Sequence, residues 1–306
     1  MSAPQHITII FSPYHVGTRD SRVGNGPQHI LDGGFVPALR EMGYTVNLVE
    51  IERVDEFEGE IGRSFEILRR TSVAVHNAVS NGTFPLVLSG NCMATAAVAC
   101  GLAQSSQVEP NFLYFDAHDD LDSPDVNWNG YLDAMGLSML CGESWKGYMR
   151  SVPGFRPHSY DGKFLYCGLR DCTDLQRQRV RDAGMDAVWG DLNADGPIDF
   201  VGQFHKRISE HKYSPSIVHL DLDCLDPSCG QVNDFPSNGG LSAEQLKQCF
   251  EMIPEYSKPE ALTICSFDPD CGDPEKNDGD KIAVIAINTA LAFFRALKEG
   301  IVERSY

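Results

Sequence analysis

The sequence predicts an α/β fold with a mostly parallel sheet and helices on both faces. Three observations predict it. Eight short runs of strand type recur along the 306 residues, helical patterns lie between them from end to end, and no Pro/Ser/Gly-rich linker divides the chain. One domain over residues 1–306 follows, without repeats or low-complexity segments.

Taken in order, Ile7–Phe11 is the first strand, and the helical spacing of Gln28–Met42 follows it. Thr45–Ile51 is the second strand and Glu60–Val79 the next helix. The strand-type run Phe84–Ser89 leads into the helical pattern Met93–Ala103. Phe112–Asp116 and Phe164–Leu169 are buried-type strands, and Asp174–Ala183 returns to helical spacing. Ala187–Trp189 is a short strand before the helix Asp199–Glu210. Ile217–Asp223, the helix Ala243–Met252, the strand Leu262–Phe267 and the helix Lys281–Lys298 complete the alternation.

Composition narrows the function classes. A hydrophobic content of 42% supports a sizeable core, and 43 acidic against 25 basic residues give a net charge of −18. That sign opposes contact with a phosphate backbone, so no nucleic-acid partner is expected. The first residues lack a basic segment followed by a long apolar one, and no apolar stretch reaches about 18 residues, so neither secretion nor a membrane partner is expected. Ten cysteines are scattered singly. Cys100, Cys141, Cys167, Cys249 and Cys265 lie in apolar segments where a thiol packs as a small hydrophobe, which predicts a reduced, cytoplasmic setting.

The chemistry concentrates in two acidic clusters, Asp116-Ala117-His118-Asp119-Asp120 and His219-Leu220-Asp221-Leu222-Asp223-Cys224-Leu225-Asp226-Pro227. Each ends an apolar strand-like run. Side chains alternate along a strand, so His219, Asp221 and Asp223 should project one way and Val218, Leu220 and Leu222 the other. Ligands in α/β folds bind beyond the carboxyl ends of the strands, which is where both clusters fall. Either cluster alone is compatible with ordinary turn and cap chemistry. Together they crowd carboxylates that a divalent ion, or a pair, would neutralise.

The spacing Asp116-x-His118-x-Asp120 with Asp221-x-Asp223 resembles the arginase/agmatinase (ureohydrolase) superfamily. Gly24-Asn25-Gly26-Pro27, Ser89-Gly90-Asn91-Cys92, Gly168-Leu169-Arg170-Asp171 and Ser266-Phe267-Asp268-Pro269 extend the resemblance over nearly the whole chain. It implies a three-layer α/β/α sandwich around a mostly parallel eight-stranded sheet, with two manganese ions activating a bridging hydroxide. Position by position, Asp116 and Asp221 would bridge both metals, His118 and Asp223 would complete one site, and Asp120 with Cys92 the other. Asp226 is expected to anchor a turn rather than bind metal.

The departures bear on mechanism. Cys92 stands in the place of a metal-binding His. As a thiolate ligand it would favour Zn2+ or Fe2+ over Mn2+; as an unligated small residue it would leave one metal. His219 replaces a small hydroxyl residue and is expected to support a ligand from behind, with direct binding as the alternative. Asp133 falls where the family's proton-shuttling His lies, and is expected to act catalytically beside His118. Ser266 replaces the Glu that grips a guanidinium, and Asp268 is a substitute for it or a turn residue. Asp171, Thr173 and Gln176 lie in the segment that meets the amino-acid end of the substrate. The resemblance thus implies a metal-dependent hydrolase cleaving a C–N bond of a small guanidino or amidino compound, other than plain L-arginine. A modified arginine such as an N-hydroxy form, and an inactive arginase-like binding protein, are the alternatives. It also implies a cytoplasmic homo-oligomer, a trimer or hexamer.

Overall fold

The computed structural model describes residues 5–193 and 196–303. Its main strands are β1 (His6–Ser12), β2 (Thr45–Glu50), β3 (Phe84–Ser89), β4 (Asn111–Phe115), β5 (Phe164–Leu169), β6 (Asp186–Trp189), β7 (Ser216–Asp221) and β8 (Pro259–Cys265). They form one eight-stranded sheet in the order β2-β1-β3-β8-β7-β4-β5-β6, and every pairing is parallel. A two-residue antiparallel pair, Tyr14–His15 with Thr18–Arg19, stands apart from it.

The helices are α1 (Gly26–Asp32), α2 (Phe35–Glu41), α3 (Glu60–Ser80), α4 (Ala94–Ala103), α5 (Gly136–Leu140), α6 (Lys146–Met149), α7 (Asp174–Asp182), α8 (Phe200–Glu210), α9 (Ala243–Tyr256) and α10 (Asp278–Glu303). Two apolar clusters sandwich the sheet. On one face Leu86, Leu113, Val218 and Leu220 pack with α1, α2, α8, α9 and α10 through residues such as Phe35, Phe204, Phe250 and Phe293. On the other, Val87, Phe112, Tyr114 and Ile217 pack with α3, α4, α5 and α7 through Phe65, Ala97, Leu137 and Val180. The result is the expected three-layer α/β/α sandwich. Helices on both faces leave every residue of β3, β4, β5 and β7 buried, which is why these strands read as continuous apolar runs. The edge strand β2 keeps Leu48 and Val49 exposed.

Three expectations need correction. The single helix over Gln28–Met42 is two helices, because Gly33 and Gly34 intervene and Gly34 takes φ 89°, which continues no right-handed helix. The strand expected over Ile217–Asp223 ends at Asp221. There the Asp221 carboxylate accepts the Asp223 backbone N–H at 2.8 Å and turns Leu222–Cys224 into a 3-10 turn. Asp223 is therefore placed by a turn and not by strand alternation. Likewise the strand expected through Phe267 ends at Cys265, and Ser266 adopts φ 65°.

All ten cysteines are free thiols. Among the described residues no helix is long and apolar enough to cross a membrane.

Candidate metal centre

Strands β4 and β7 are neighbours, and the same local device finishes both. Asp116, directly after β4, accepts the His118 N–H at 2.7 Å, as Asp221 accepts that of Asp223. Each Asp-x-His or Asp-x-Asp triplet thus folds into a turn that brings its first and third side chains to the same cleft. The turns are tied to each other, since Ala117 N–H donates to Asp223 Oδ1 at 3.2 Å. Arg170 N–H and Asp171 N–H both donate to the Ala117 carbonyl at 2.9 Å.

Arg170 supports this platform from beneath. It is fully buried, and its guanidinium donates to the carbonyls of Gly168, Asp223, Cys224, Leu225, Ser237 and Asn238. A planar fork satisfies that many fixed acceptors in a way an ammonium does not. From above, Asn233 donates its side-chain amide to Asp223 Oδ2 at 3.1 Å and to the Ser266 carbonyl at 3.2 Å.

Cys92 arrives from the β3–α4 connection. Gly90 allows this, because a Cβ there would strike the Tyr14 carbonyl oxygen and crowd Gly24. The Cys92 thiol donates to Asp221 Oδ2 at 2.6 Å and lies 2.9 Å from Ser266 Oγ. Cys92, Asp116, His219 and Asp221 bring one ligand atom each to within 4.8 Å of one another, and all four are buried. A second group, Asp116, His118 and Asp223, meets the same test and shares Asp116 with the first.

Electrostatics inside this cleft is strained without a cation. Burial, then Asp223, raises the pKa of Asp116, and burial, then the neighbouring Asp223 and Asp116, raises that of Asp221. Burial opposes the Asp223 carboxylate too, yet His118 and Asn233 hold it well below the usual carboxylate range. Burial pushes His219 down to about 3, so its imidazole is neutral and able to bind a metal. Two polar atoms are left over: Asp116 Oδ2 and His219 Nε2 are buried and have no hydrogen-bond partner among the described residues. Orphaned acceptors beside a thiol and carboxylates are a donor set that a divalent ion fits.

The remaining expected residues are distributed as follows. Asp120, at φ 53°, accepts the Tyr114 hydroxyl at 2.6 Å and belongs to neither ligand group. Asp133 is buried, and its two oxygens accept Asn91 Nδ2 at 2.7 Å and Met93 N–H at 2.8 Å. Burial raises its pKa to about 6 against those two donors. Ser266 touches Cys92, whereas Asp268 accepts the Asp270 N–H at 3.1 Å as a turn residue does. Asp171 stands 3.7 Å from His118 Nε2. Thr173 and Gln176 form a reciprocal cap at the start of α7. Asp226 holds the Ser228 and Gly239 amides.

All of these expected residues except Asp116, His219 and Asp226 border a cavity of about 760 Å³. Val126, Trp128, Leu175 and Phe235 expose apolar surface at its mouth. Arg170 and Asn91 stand inside the sequence motifs without a role of their own, and Tyr114 and Asn233 carry no site signal in the sequence. Asn233 matches no motif, and the Ser266 carbonyl it holds lies in a separate loop.

A model of the arginase family matches residues 5–294. Arginase-1 of Rattus norvegicus is 26% identical over 322 residues, covering 98% of this chain and 95% of its own. The structure is similar to that of arginase from Bacillus caldovelox, at a TM-score of 0.81 and 21% identity, over 95% of this chain and 98% of the other. It is also similar to formimidoylglutamase from Bacillus subtilis, at a TM-score of 0.70 and 16% identity, over 99% and 89%.

Proposed function

The chain belongs to the arginase family, and from that premise we propose that its cleft is a metal-dependent hydrolase centre cleaving a C–N bond of a guanidino or amidino compound other than plain L-arginine. The observation that carries this reading is the convergence of two ligand groups, sharing Asp116, on one cavity. Manganese is the family's ion, and Cys92 opens the site to zinc or iron. Bound divalent ions would supply Lewis acidity and acidify water toward neutral pH.

The chain's own residues do the rest. Asp116 would serve both sides of the centre, Asp221 with Cys92 would hold the inner side, and His118 with Asp223 the outer side. Asp133, with a pKa raised to about 6, is the proton carrier in this reading. Ser266 offers a hydroxyl where a carboxylate would grip a guanidinium, which removes a charge-assisted contact worth about 1.5–3 kcal/mol. Thr173 spends its side chain on the α7 cap rather than on a substrate amino group. The apolar mouth formed by Val126, Trp128, Leu175 and Phe235 suits a substrate tail less polar than a free amino acid. The same reading carries family-level expectations of a cytoplasmic trimer or hexamer. A second reading, an inactive binding scaffold, draws on the Cys92 thiol already satisfied by Asp221.

The test is a screen for urea and amine release by metal-reconstituted protein over guanidino compounds with and without an amino-acid end. The expected result is turnover of one such compound, with L-arginine below a kcat/KM of about 10⁴ M⁻¹s⁻¹. Arginine hydrolysis above that value contradicts the substrate reading. Complete inactivity of fully metallated protein on the whole panel favours the scaffold.

A further inference from the structure

His219 is enclosed completely, and each part of its ring has a definite neighbour. Tyr114 stacks on one face with ring centroids 4.0 Å apart. Nδ1 lies 2.6 Å from both Thr95 Oγ1 and Thr263 Oγ1. Nε2 faces Asp116 Oδ2 at 3.9 Å, and neither atom has a hydrogen-bond partner among the described residues. That separation is too long for a hydrogen bond. It lies within the span of two ligand atoms each about 2.0–2.2 Å from a common zinc ion. In the tautomer with the proton on Nδ1, shared toward the two threonine hydroxyls, the Nε2 lone pair points at a carboxylate, an arrangement that is repulsive until a cation stands between them.

From this geometry we infer that His219 is a direct metal ligand, and that Cys92, Asp116, His219 and Asp221 form a thiolate–imidazole–carboxylate site selective for zinc-type ions over manganese. The inference rests on the reading of the cleft as a metal centre. It adds an imidazole from β7 to the thiol from the β3–α4 connection, so the two departures compensate: the chain loses an imidazole at position 92 and gains one at 219. Asp120 is withdrawn from this side by the Tyr114 hydroxyl. The other side, Asp116, His118 and Asp223, keeps hard oxygen and nitrogen donors and suits manganese. The centre is thus asymmetric, with a soft inner side and a harder outer one. Coordination replaces the Cys92 thiol proton by the ion, and that proton leaves to solvent.

Apo-protein loaded with one equivalent of zinc, read by X-ray absorption at the zinc edge, tests the inference. Wild-type protein should show one sulfur at about 2.3 Å and imidazole scattering. Imidazole scattering should vanish in His219→Gln and persist in His118→Gln, and sulfur scattering should vanish in Cys92→Ser. Zinc affinity should fall by well over 100-fold in His219→Gln, beyond the roughly 10–100-fold loss usual for a residue that only supports a ligand. With equimolar zinc and manganese, one zinc per chain should remain. Imidazole scattering that disappears in His118→Gln but persists in His219→Gln overturns the inference, as does bound zinc without sulfur. Failure of wild-type protein to bind zinc, manganese or iron at all overturns instead the reading of the cleft as a metal centre. Thermal melts of each apo variant separate misfolding from ligand loss. His219→Cys, which restores a zinc ligand while removing the ring, should recover affinity if the role is ligation and not packing.

Discussion

Tyr114 joins the two halves of the centre: its ring lies on His219 and its hydroxyl holds Asp120. Tyr114→Phe keeps the ring and deletes the donor, leaving a buried carboxylate short of a partner. A loss of about 1.5–3 kcal/mol, the range for a hydrogen bond to a charged group, is expected in the denaturant midpoint, and a change below about 0.5 kcal/mol would show that Asp120 is held by something else. Arg170 makes a similar argument with more contacts. Arg170→Lys keeps the charge but cannot reach six carbonyls, so a loss of about 3 kcal/mol or more is expected by chemical denaturation; a near-neutral substitution would remove the guanidinium as the platform's support. At this scale the acidic triplets were legible, because Asp-x-His and Asp-x-Asp report their chemistry locally. Tyr114 and Asn233 were not, since what they touch comes from other strands and loops. His219 was legible as a site residue, and its orphaned Nε2 shows only once β4, β7 and β8 are side by side.

At the scale of elements, strand ends decide where the chemistry goes. The inner strands β3, β4, β5 and β7 were legible because a parallel sheet covered on both faces buries every position of them. Their exact ends were not, since an Asp can end a strand by taking the amide two residues on, as Asp116 and Asp221 do. The five-residue α5 and four-residue α6 are too short to show a helical period, and neither was anticipated. Helix α7 offers a test between two uses of one residue. Thr173 and Gln176 cap it reciprocally, so Thr173→Ala should cost about 1 kcal/mol in thermal or denaturant unfolding. Unchanged stability together with a raised KM would instead return Thr173 to a substrate-facing role.

For the whole molecule, the net charge of −18 opposes compaction and favours solubility. Histidine sets a pH dependence with a definite sign. Burial, then Arg22, lowers His15 from 6.5 to about 4 in the folded chain. Between those two values the unfolded state binds more protons, so stability rises with pH through the window and is lost as pH falls from 6.5 toward 4. His219, pushed down by burial to about 3, acts in the same direction. His15→Gln should therefore flatten part of the fall in unfolding midpoint between about pH 6.5 and pH 4.5, and an unchanged slope would remove His15 from the account.

Metal stoichiometry decides whether the paired acidic turns at the ends of β4 and β7 hold divalent ions. Protein reconstituted with manganese and zinc, then gel-filtered, should carry between about one and two equivalents per chain, and the folded double variant Asp116→Asn/Asp221→Asn less than about a tenth. Folded wild-type protein holding less than about a tenth of an equivalent after reconstitution would show that these turns are not a metal centre.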